Sequence, residues 1–104
     1  AQRQIPLFIN IGKNRTTPNE KAFQDYVYLT EKFRALGDAL VVNISSPNTQ
    51  GLRDLARPEY LTPTLTQVVK AARYTPVLLK ISPDMQDADL QVLVKVAIDC
   101  GILG

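Results

Sequence analysis

Several residue types that commonly build active sites are missing or rare in this 104-residue sequence. It contains no His, so no imidazole base or imidazole metal ligand can come from it. Cys100 is its single cysteine, which excludes an internal disulfide and a cysteine metal site and favours a reducing compartment. No apolar run approaches the roughly 20 residues of a membrane span, and no signal peptide opens the sequence. Because the sequence has no His and a single cysteine, we predict no metal site.

An excess of charge of one sign is also lacking. There are 12 basic and 10 acidic residues, and they are scattered, with the densest basic cluster at Lys13 to Arg15. This balance argues against a nucleic-acid partner. A simple interpretation of Lys13 and Arg15 is that their side chains are only solvated. A hydrophobic content of 45% at this length indicates one globular domain over residues 1–104, without an internal boundary.

What the sequence does contain is an alternation of two apolar patterns. Nearly continuous apolar runs at residues 6–12, 39–46 and 76–82 predict three strands of the kind found in parallel sheets covered on both faces. Each run is followed by apolar residues at helical spacing, which predicts three helices. The apolar residues of the first helix, which include Tyr26 and Leu36, form one predicted buried stripe, and those of the third include Ala97 and Ile98. The order indicates an α/β fold built from successive βαβ units.

Local signals suggest where these helices begin and end. A capping Thr17 followed by Pro18 predicts the start of the first helix, and Gly37 its end. The second helix is expected to begin near Thr62 and Pro63. The third is expected to begin after Asp87 and to stop at Gly101.

Each predicted strand carries one strongly polar residue late in its run. These residues are Asn10, Asn43 and Lys80, and about one strand-plus-helix unit separates each from the next. They should therefore lie at similar heights in adjacent strands. Burying an amide or an ammonium without partners costs about 1 to 3 kcal/mol or more. Since ligands commonly bind at the carboxyl ends of parallel strands, the pattern predicts a small-molecule site there.

A dense polar loop follows the second strand. Residues Asn43 to Arg53 read NISSPNTQGLR, and the proline at position 47 ends strand pairing. A core strand does not need these side chains, whereas a site built at a strand end does. Structural interpretations stay open, because Ser-Pro-Asn is ordinary turn chemistry, Asn10 could be a structural hydrogen-bonding residue, and Lys80 could reach solvent from an edge strand.

Three blocks of the sequence resemble consecutive motifs of the dihydroorotate dehydrogenase family, in matching order. They are FINIGKNRTTP at residues 8–18, VNISSPNTQGLR at 42–53 and LKISPD at 79–84. The resemblance is strongest to class 2, the quinone-dependent branch. It implies an FMN-dependent (β/α)8 TIM barrel that oxidises dihydroorotate to orotate in pyrimidine biosynthesis. It also implies a membrane quinone as electron acceptor and a peripheral location on the bacterial cytoplasmic or mitochondrial inner membrane.

The resemblance assigns binding roles by motif position. Asn10 resembles the asparagine that contacts FMN, and Asn43 resembles the one that meets both FMN and the substrate. Asn48 matches a substrate-binding asparagine, and Lys80 matches the lysine beside the flavin ring. An asparagine amide offers both a donor and an acceptor, which suits the planar imide ring of orotate.

The resemblance also implies a catalytic base. Ser46 takes the position of the base that removes a proton from C5 of dihydroorotate while a hydride leaves C6, and class 1 enzymes carry Cys there. A free serine hydroxyl is a poor base, so it needs activation. Thr49 and a bound water are the candidates for a proton relay.

The chain is shorter than the fold that it resembles. A complete barrel takes about 250 residues, and about three to four strand-helix units are recognisable here. The sequence starts without Met and stops as a new apolar run begins. We therefore expect a central segment of one FMN-binding barrel domain, inactive alone, with the quinone-docking segments absent. The alternatives are a related flavin barrel oxidoreductase acting on another pyrimidine, or a non-catalytic α/β module that binds a small ligand.

Overall fold

A computed structural model describes residues 5–14, 16–44, 57–81 and 86–102. The strands are Phe8–Ile11 (β1), Ala39–Asn43 (β2) and Val77–Lys80 (β3). The α-helices are Ala22–Phe33 (α1), Pro58–Ala72 (α2) and Asp87–Asp99 (α3), with a 3-10 turn at Asn19–Lys21 before α1. The predicted alternation of strands and helices is thus confirmed. None of the helices in these ranges has the length and hydrophobicity that crossing a bilayer requires.

The strands form one parallel sheet in the order β1-β2-β3, as predicted. Asn10 in β1 is paired with Val41 in β2. On the other side of β2, Asn43 is paired with Lys80 in β3. Because side chains alternate along a strand, this register decides which residues share a face of the sheet.

The hydrophobic core lies between the helices and one face of this sheet. Ile11, Leu40, Val42 and Val77 belong to it, together with buried residues of all three helices. Leu40 and Val42 are 0% exposed. Burying such a side chain contributes about 1.5 to 3 kcal/mol. We call this side the helix-covered face.

The opposite side, the open face, carries the alternate residues of each strand. Those described are Phe8, Asn10, Ala39, Val41, Asn43, Leu78 and Lys80. Phe8 is 57% exposed, and of these residues only Ala39, 4% exposed, is buried. Within the described residues the helices pack on one side of the sheet, so the prediction of strands covered on both faces is met on one face only.

The predicted boundaries of α1 need correction. Pro18 precedes the 3-10 turn in an extended conformation, and no side-chain capping bond is formed at the start of the turn or of α1. The helix ends at Phe33, before Gly37. A Cβ atom at Gly37 would lie 2.8 Å from Ile9 Cδ1. Gly37 therefore permits a close approach to β1 and does not end the helix, and the exposed Leu36 lies outside the buried stripe.

The predicted start of α2 is also wrong. The helix begins at Pro58, and Pro63 lies inside it. A proline at the first helical position loses no hydrogen bond, whereas Pro63 leaves one carbonyl of the preceding turn without its helical donor. Leu61, 1% exposed, lies before the predicted start and belongs to the core. Its burial offsets the cost of a proline in the second turn.

The predicted end of α3 is confirmed in detail. Gly101 has a φ of +93°, which favours glycine. Its N–H donates to the Ile98 carbonyl at 3.1 Å, and the N–H of Ile102 donates to the Ala97 carbonyl at 3.0 Å. These two bonds form a Schellman motif. The predicted stripe on α3 is only partly buried, because Ile98 is 67% exposed whereas Ala97 is 7% exposed.

Candidate functional site

Two of the three predicted strand residues meet at the carboxyl end of the sheet. Asn43 is the last residue of β2 and Lys80 the last of β3, and the two are register partners on the open face. Asn10 is paired with Val41 and so shares this face, but lies two residues lower than Asn43. That offset is about 7 Å along the strands. The prediction of similar heights is right for Asn43 and Lys80 and wrong by one side-chain repeat for Asn10.

The polar side chains on the open face are not buried by this chain. Asn10 and Lys80 are exposed, and Asn43 is half-buried. The desolvation cost that led us to expect a ligand therefore arises only when something covers this face. Lys80 stands on an outer strand of the described sheet, as the edge-strand interpretation requires. Its pairing with Asn43 is what makes it part of the candidate site.

Side-chain hydrogen bonds hold the segment that follows β1. Lys13 Nζ donates to the carbonyl oxygen of Thr17 at 2.7 Å and to that of Asn14 at 3.1 Å. The carboxylate of Asp25, in the first turn of α1, accepts a hydrogen bond from the Asn14 N–H at 2.8 Å. Lys13 is therefore a structural residue and not a merely solvated cation. Arg15 lies outside the described residues.

A buried tyrosine supports the end of β2 from the helix-covered face. The Tyr26 hydroxyl donates to the Asn43 carbonyl at 2.8 Å, and Tyr26 is 0% exposed. Burial raises the pKa of Tyr26 well above its usual range, the negative charge of Asp25 raises it further, and a hydrogen bond from the Lys13 backbone N–H lowers it in part. Sequence reasoning placed Tyr26 in the buried stripe of α1 but missed this contact. The signal was available, because a buried phenol usually finds a hydrogen-bond partner.

Three predicted site residues cannot be placed from the structure. Ser46, Asn48 and Thr49 lie outside the described residues, so the base, the substrate-binding asparagine and the proton relay stay predictions. The described chain leads towards them, since β2 ends at Asn43 and the buried Ile44 follows. The Ile44 N–H donates to the Lys80 carbonyl at 3.3 Å. The predicted loop thus starts beside the pair formed by Asn43 and Lys80.

The geometry suits recognition of a planar, electron-rich ligand. Lys80 offers an ammonium group, and Asn43 offers both a donor and an acceptor on the same face. Apolar residues of the open face, Val41 and Leu78, lie just below this pair. A planar ring could therefore rest on the open face while its polar edge meets the strand ends.

Apolar grooves of the described chain lie elsewhere. One, with a volume of about 450 Å³, runs along the outer side of α3 past Leu90, Val94 and Ile98. Another, of about 210 Å³, lies between β3 and α3 beside Leu79. Their linings are largely apolar and do not include Asn10, Asn43 or Lys80. We therefore place the candidate site on the open face and not in these grooves.

Comparison with known proteins identifies a family. The model of the family "Dihydroorotate dehydrogenase" matches residues 1–104. A dihydroorotate dehydrogenase (quinone) from a Nitratiruptor species is 50% identical over 100 residues, which are 96% of this chain and 28% of that protein. The enzyme of the same name from Mycolicibacterium smegmatis is 45% identical over 104 residues, 100% of this chain and 29% of that protein. The chain thus spans less than a third of the length of these relatives.

A solved structure shows the same fold. The ligand-free dihydroorotate dehydrogenase of Eimeria tenella superposes with a TM-score of 0.86 at 30% identity, covering 99% of this chain and 33% of that one. The structure of the Eimeria tenella enzyme in complex with ferulenol gives a TM-score of 0.81 at 28% identity, covering 91% of this chain and 30% of that one. The likeness confirms that the strand-helix units described here are part of a (β/α)8 barrel.

Proposed function

Since the chain belongs to the dihydroorotate dehydrogenase family, we propose that the whole protein oxidises dihydroorotate to orotate and passes the electrons to a quinone. The matched relatives carry that activity in their names. The observation that carries the proposal is the pairing of Asn43 with Lys80 on the open face. That pair stands at the carboxyl ends of barrel strands, where enzymes of this fold keep their active sites.

The described residues fit a flavin. An amide and an ammonium stand side by side above apolar side chains on a face that the helices leave uncovered. Bound FMN would supply the hydride acceptor. Asn43 would contact both the flavin and the substrate, and Asn10 would contact the flavin from one side-chain repeat lower. Lys80 would hold positive charge beside the ring where electrons arrive, and such fixed charge stabilises the transition state.

The substrate chemistry calls for a base opposite the hydride acceptor. Dihydroorotate loses a proton from C5 and a hydride from C6, and the ring double bond of orotate forms between these carbons. We assign the C5 proton to Ser46, with Thr49 and a water as the relay that carries it away. Asn43 and Asn48 would hold the imide edge of the ring. In the second half of the cycle the quinone would take up the two electrons together with two protons and become a quinol.

The electron acceptor determines where the protein works. Quinones dissolve in membranes, so we propose a peripheral membrane location reached through segments outside this chain. The full-length protein should cosediment with quinone-containing vesicles and form orotate there. Failure of the wild-type protein to form orotate from dihydroorotate with any quinone would contradict the proposed function.

Substitution of Ser46 tests the proposed mechanism. In the full-length protein, Ser46→Ala should slow the reduction of the flavin by dihydroorotate by about 10² to 10⁴-fold, the usual contribution of a general base. Anaerobic stopped-flow absorbance measures this step without quinone. Thr62→Ala, which removes an exposed hydroxyl on α2, is the matched control and should leave the rate unchanged. An unchanged rate in Ser46→Ala would show that another group is the base.

A further inference from the structure

The Tyr26 hydroxyl occupies a particular place between β1 and β2. The pairing of these strands ends at Ile11 and Val42. If the parallel ladder continued, the next bond would run from the Lys13 N–H to the Asn43 carbonyl. Instead, the Tyr26 hydroxyl donates to that carbonyl at 2.8 Å. The Lys13 backbone N–H is close enough to this hydroxyl to lower its pKa in part. A side chain of α1 thus provides a hydrogen-bond donor for the Asn43 carbonyl at the point where β1 and β2 stop pairing.

The contact on the other side of the β2 terminus is longer. The Ile44 N–H reaches the Lys80 carbonyl at 3.3 Å, beyond the usual 2.9 to 3.0 Å for such bonds. The 2.8 Å bond from Tyr26 has the usual length of an O–H···O hydrogen bond, whereas the Ile44 bond is longer than usual for an N–H···O bond. Tyr26 is 0% exposed, so water does not compete for this bond. The neighbouring Asp25 holds the Asn14 N–H at 2.8 Å, which fixes the same turn of α1 to the segment after β1.

We propose that Tyr26 is a positioning residue for the reaction. From the helix-covered face its hydroxyl fixes the backbone of Asn43, whose side chain points to the open face beside Lys80. It thereby sets how the Asn43 amide meets substrate and flavin, and how the loop towards Ser46 begins. This inference rests on the proposed function. A displacement near 1 Å is enough to slow a reaction by about two orders of magnitude, so loss of this bond should be measurable in the kinetics.

The test uses the full-length protein with Tyr26→Phe, which removes the hydroxyl and keeps the ring. We expect the rate of flavin reduction by dihydroorotate to fall about 10-fold and the KM for dihydroorotate to rise. Reoxidation of the flavin by quinone should stay within about 2-fold, because the contact of Asn43 with dihydroorotate is made only in the reductive half of the cycle. Replacement of Tyr26 by 4-aminophenylalanine restores a donor and should recover most of the lost rate. That analogue also decides the matter if Tyr26→Phe does not fold.

Tyr28→Phe is the matched control. Tyr28 lies two residues further along α1 and is 63% exposed, so its hydroxyl can be removed without effect on either half-reaction. If flavin reduction and KM are the same in Tyr26→Phe as in Tyr28→Phe, Tyr26 only packs and the inference is wrong. Equal slowing of both half-reactions would also overturn it, because a general loss of structure affects both.

A second measurement separates this inference from the proposed function. Amide hydrogen exchange reports the Lys13 N–H directly, whatever reaction the protein catalyses. Protection of this amide should fall in Tyr26→Phe and stay at the wild-type level in Tyr28→Phe. If the wild-type protein does not oxidise dihydroorotate, the proposed function is wrong. The exchange result alone then decides whether Tyr26 links the ends of β1 and β2. Unchanged protection in Tyr26→Phe would overturn that link.

Discussion

The two faces of the sheet differ although they are built from alternate residues of the same strands. On the helix-covered face, Leu40 and Val42 are fully inaccessible to solvent. On the open face their sequence neighbours Val41 and Asn43 are only half-buried, and Lys80 is exposed. The first face is completed by helices of this chain, and the second presents polar groups to whatever covers it. Buried apolar side chains and accessible polar side chains thus lie on opposite sides of one sheet.

Leu40→Ala should have the largest effect on stability. Leu40 is 0% exposed between sheet and helices, and truncation of such a residue costs about 2 to 5 kcal/mol because a cavity remains. Urea denaturation of the full-length protein measures this loss. Leu36→Ala removes the same atoms from a side chain that is 55% exposed, so it should cost about 0.5 kcal/mol or less. A similar cost at both positions would contradict the conclusion that burial on the helix-covered face stabilises the protein.

Lys80→Met should have the opposite profile. It keeps the length of the side chain and removes the charge from the open face, so flavin reduction should slow by about 10²-fold. The free energy of unfolding should change by about 1 kcal/mol or less, because Lys80 is exposed and outside the core.

Lys70→Met is the matched control for that substitution. Lys70 is an exposed lysine in the last turn of α2. Its loss should leave the rate of flavin reduction unchanged. If Lys80→Met instead lowers stability as much as Leu40→Ala and leaves the rate intact, the open face is a structural surface and the two faces do not divide the tasks.

The strands and helices could be predicted from the sequence because apolar runs and helical spacing indicate directly which side chains are buried. The same patterns do not indicate which part of the protein covers each face of the sheet. Continuous apolar runs predicted strands covered on both faces, yet Phe8 and Lys80 lie on a face that this chain leaves open. Covering that face depends on residues that are distant in sequence, and no local pattern encodes them.

The candidate site could be predicted in part, because the order of the strands indicates which residues are neighbours. Asn43 and Lys80 were expected to be neighbours because parallel strands align their carboxyl ends, and the register confirms it. The lower position of Asn10 depends on the exact register, which composition does not fix. The start of α2 was missed because Pro58 and Pro63 give competing signals, and the burial of Leu61 decides between them. The Tyr26 contact depends on side-chain direction in three dimensions.

The smallest expected effect is a pH dependence on the helix-covered face. Burial and the charge of Asp25 raise the pKa of the folded Tyr26 well above its usual range, despite the hydrogen bond from the Lys13 backbone. In the unfolded chain the pKa of this hydroxyl is about 10. The stability that comes from keeping it neutral is therefore fully present below about pH 10 and is lost as pH rises from there towards the folded pKa, by about 1.4 kcal/mol per pH unit.

Urea denaturation of the full-length protein at pH 8 and pH 11 measures this loss, and the comparison of variants isolates Tyr26 from the other groups that titrate in that range. Between these values Tyr26→Phe should lose about 1.4 kcal/mol less stability than the wild type. Tyr28→Phe, on the exposed side of α1, should reproduce the wild-type loss. If Tyr26→Phe loses as much as the wild type, the hydroxyl can ionise in the folded protein. The end of β2 would then be open to solvent on both faces, and the helix-covered face would not be closed where it supports the site.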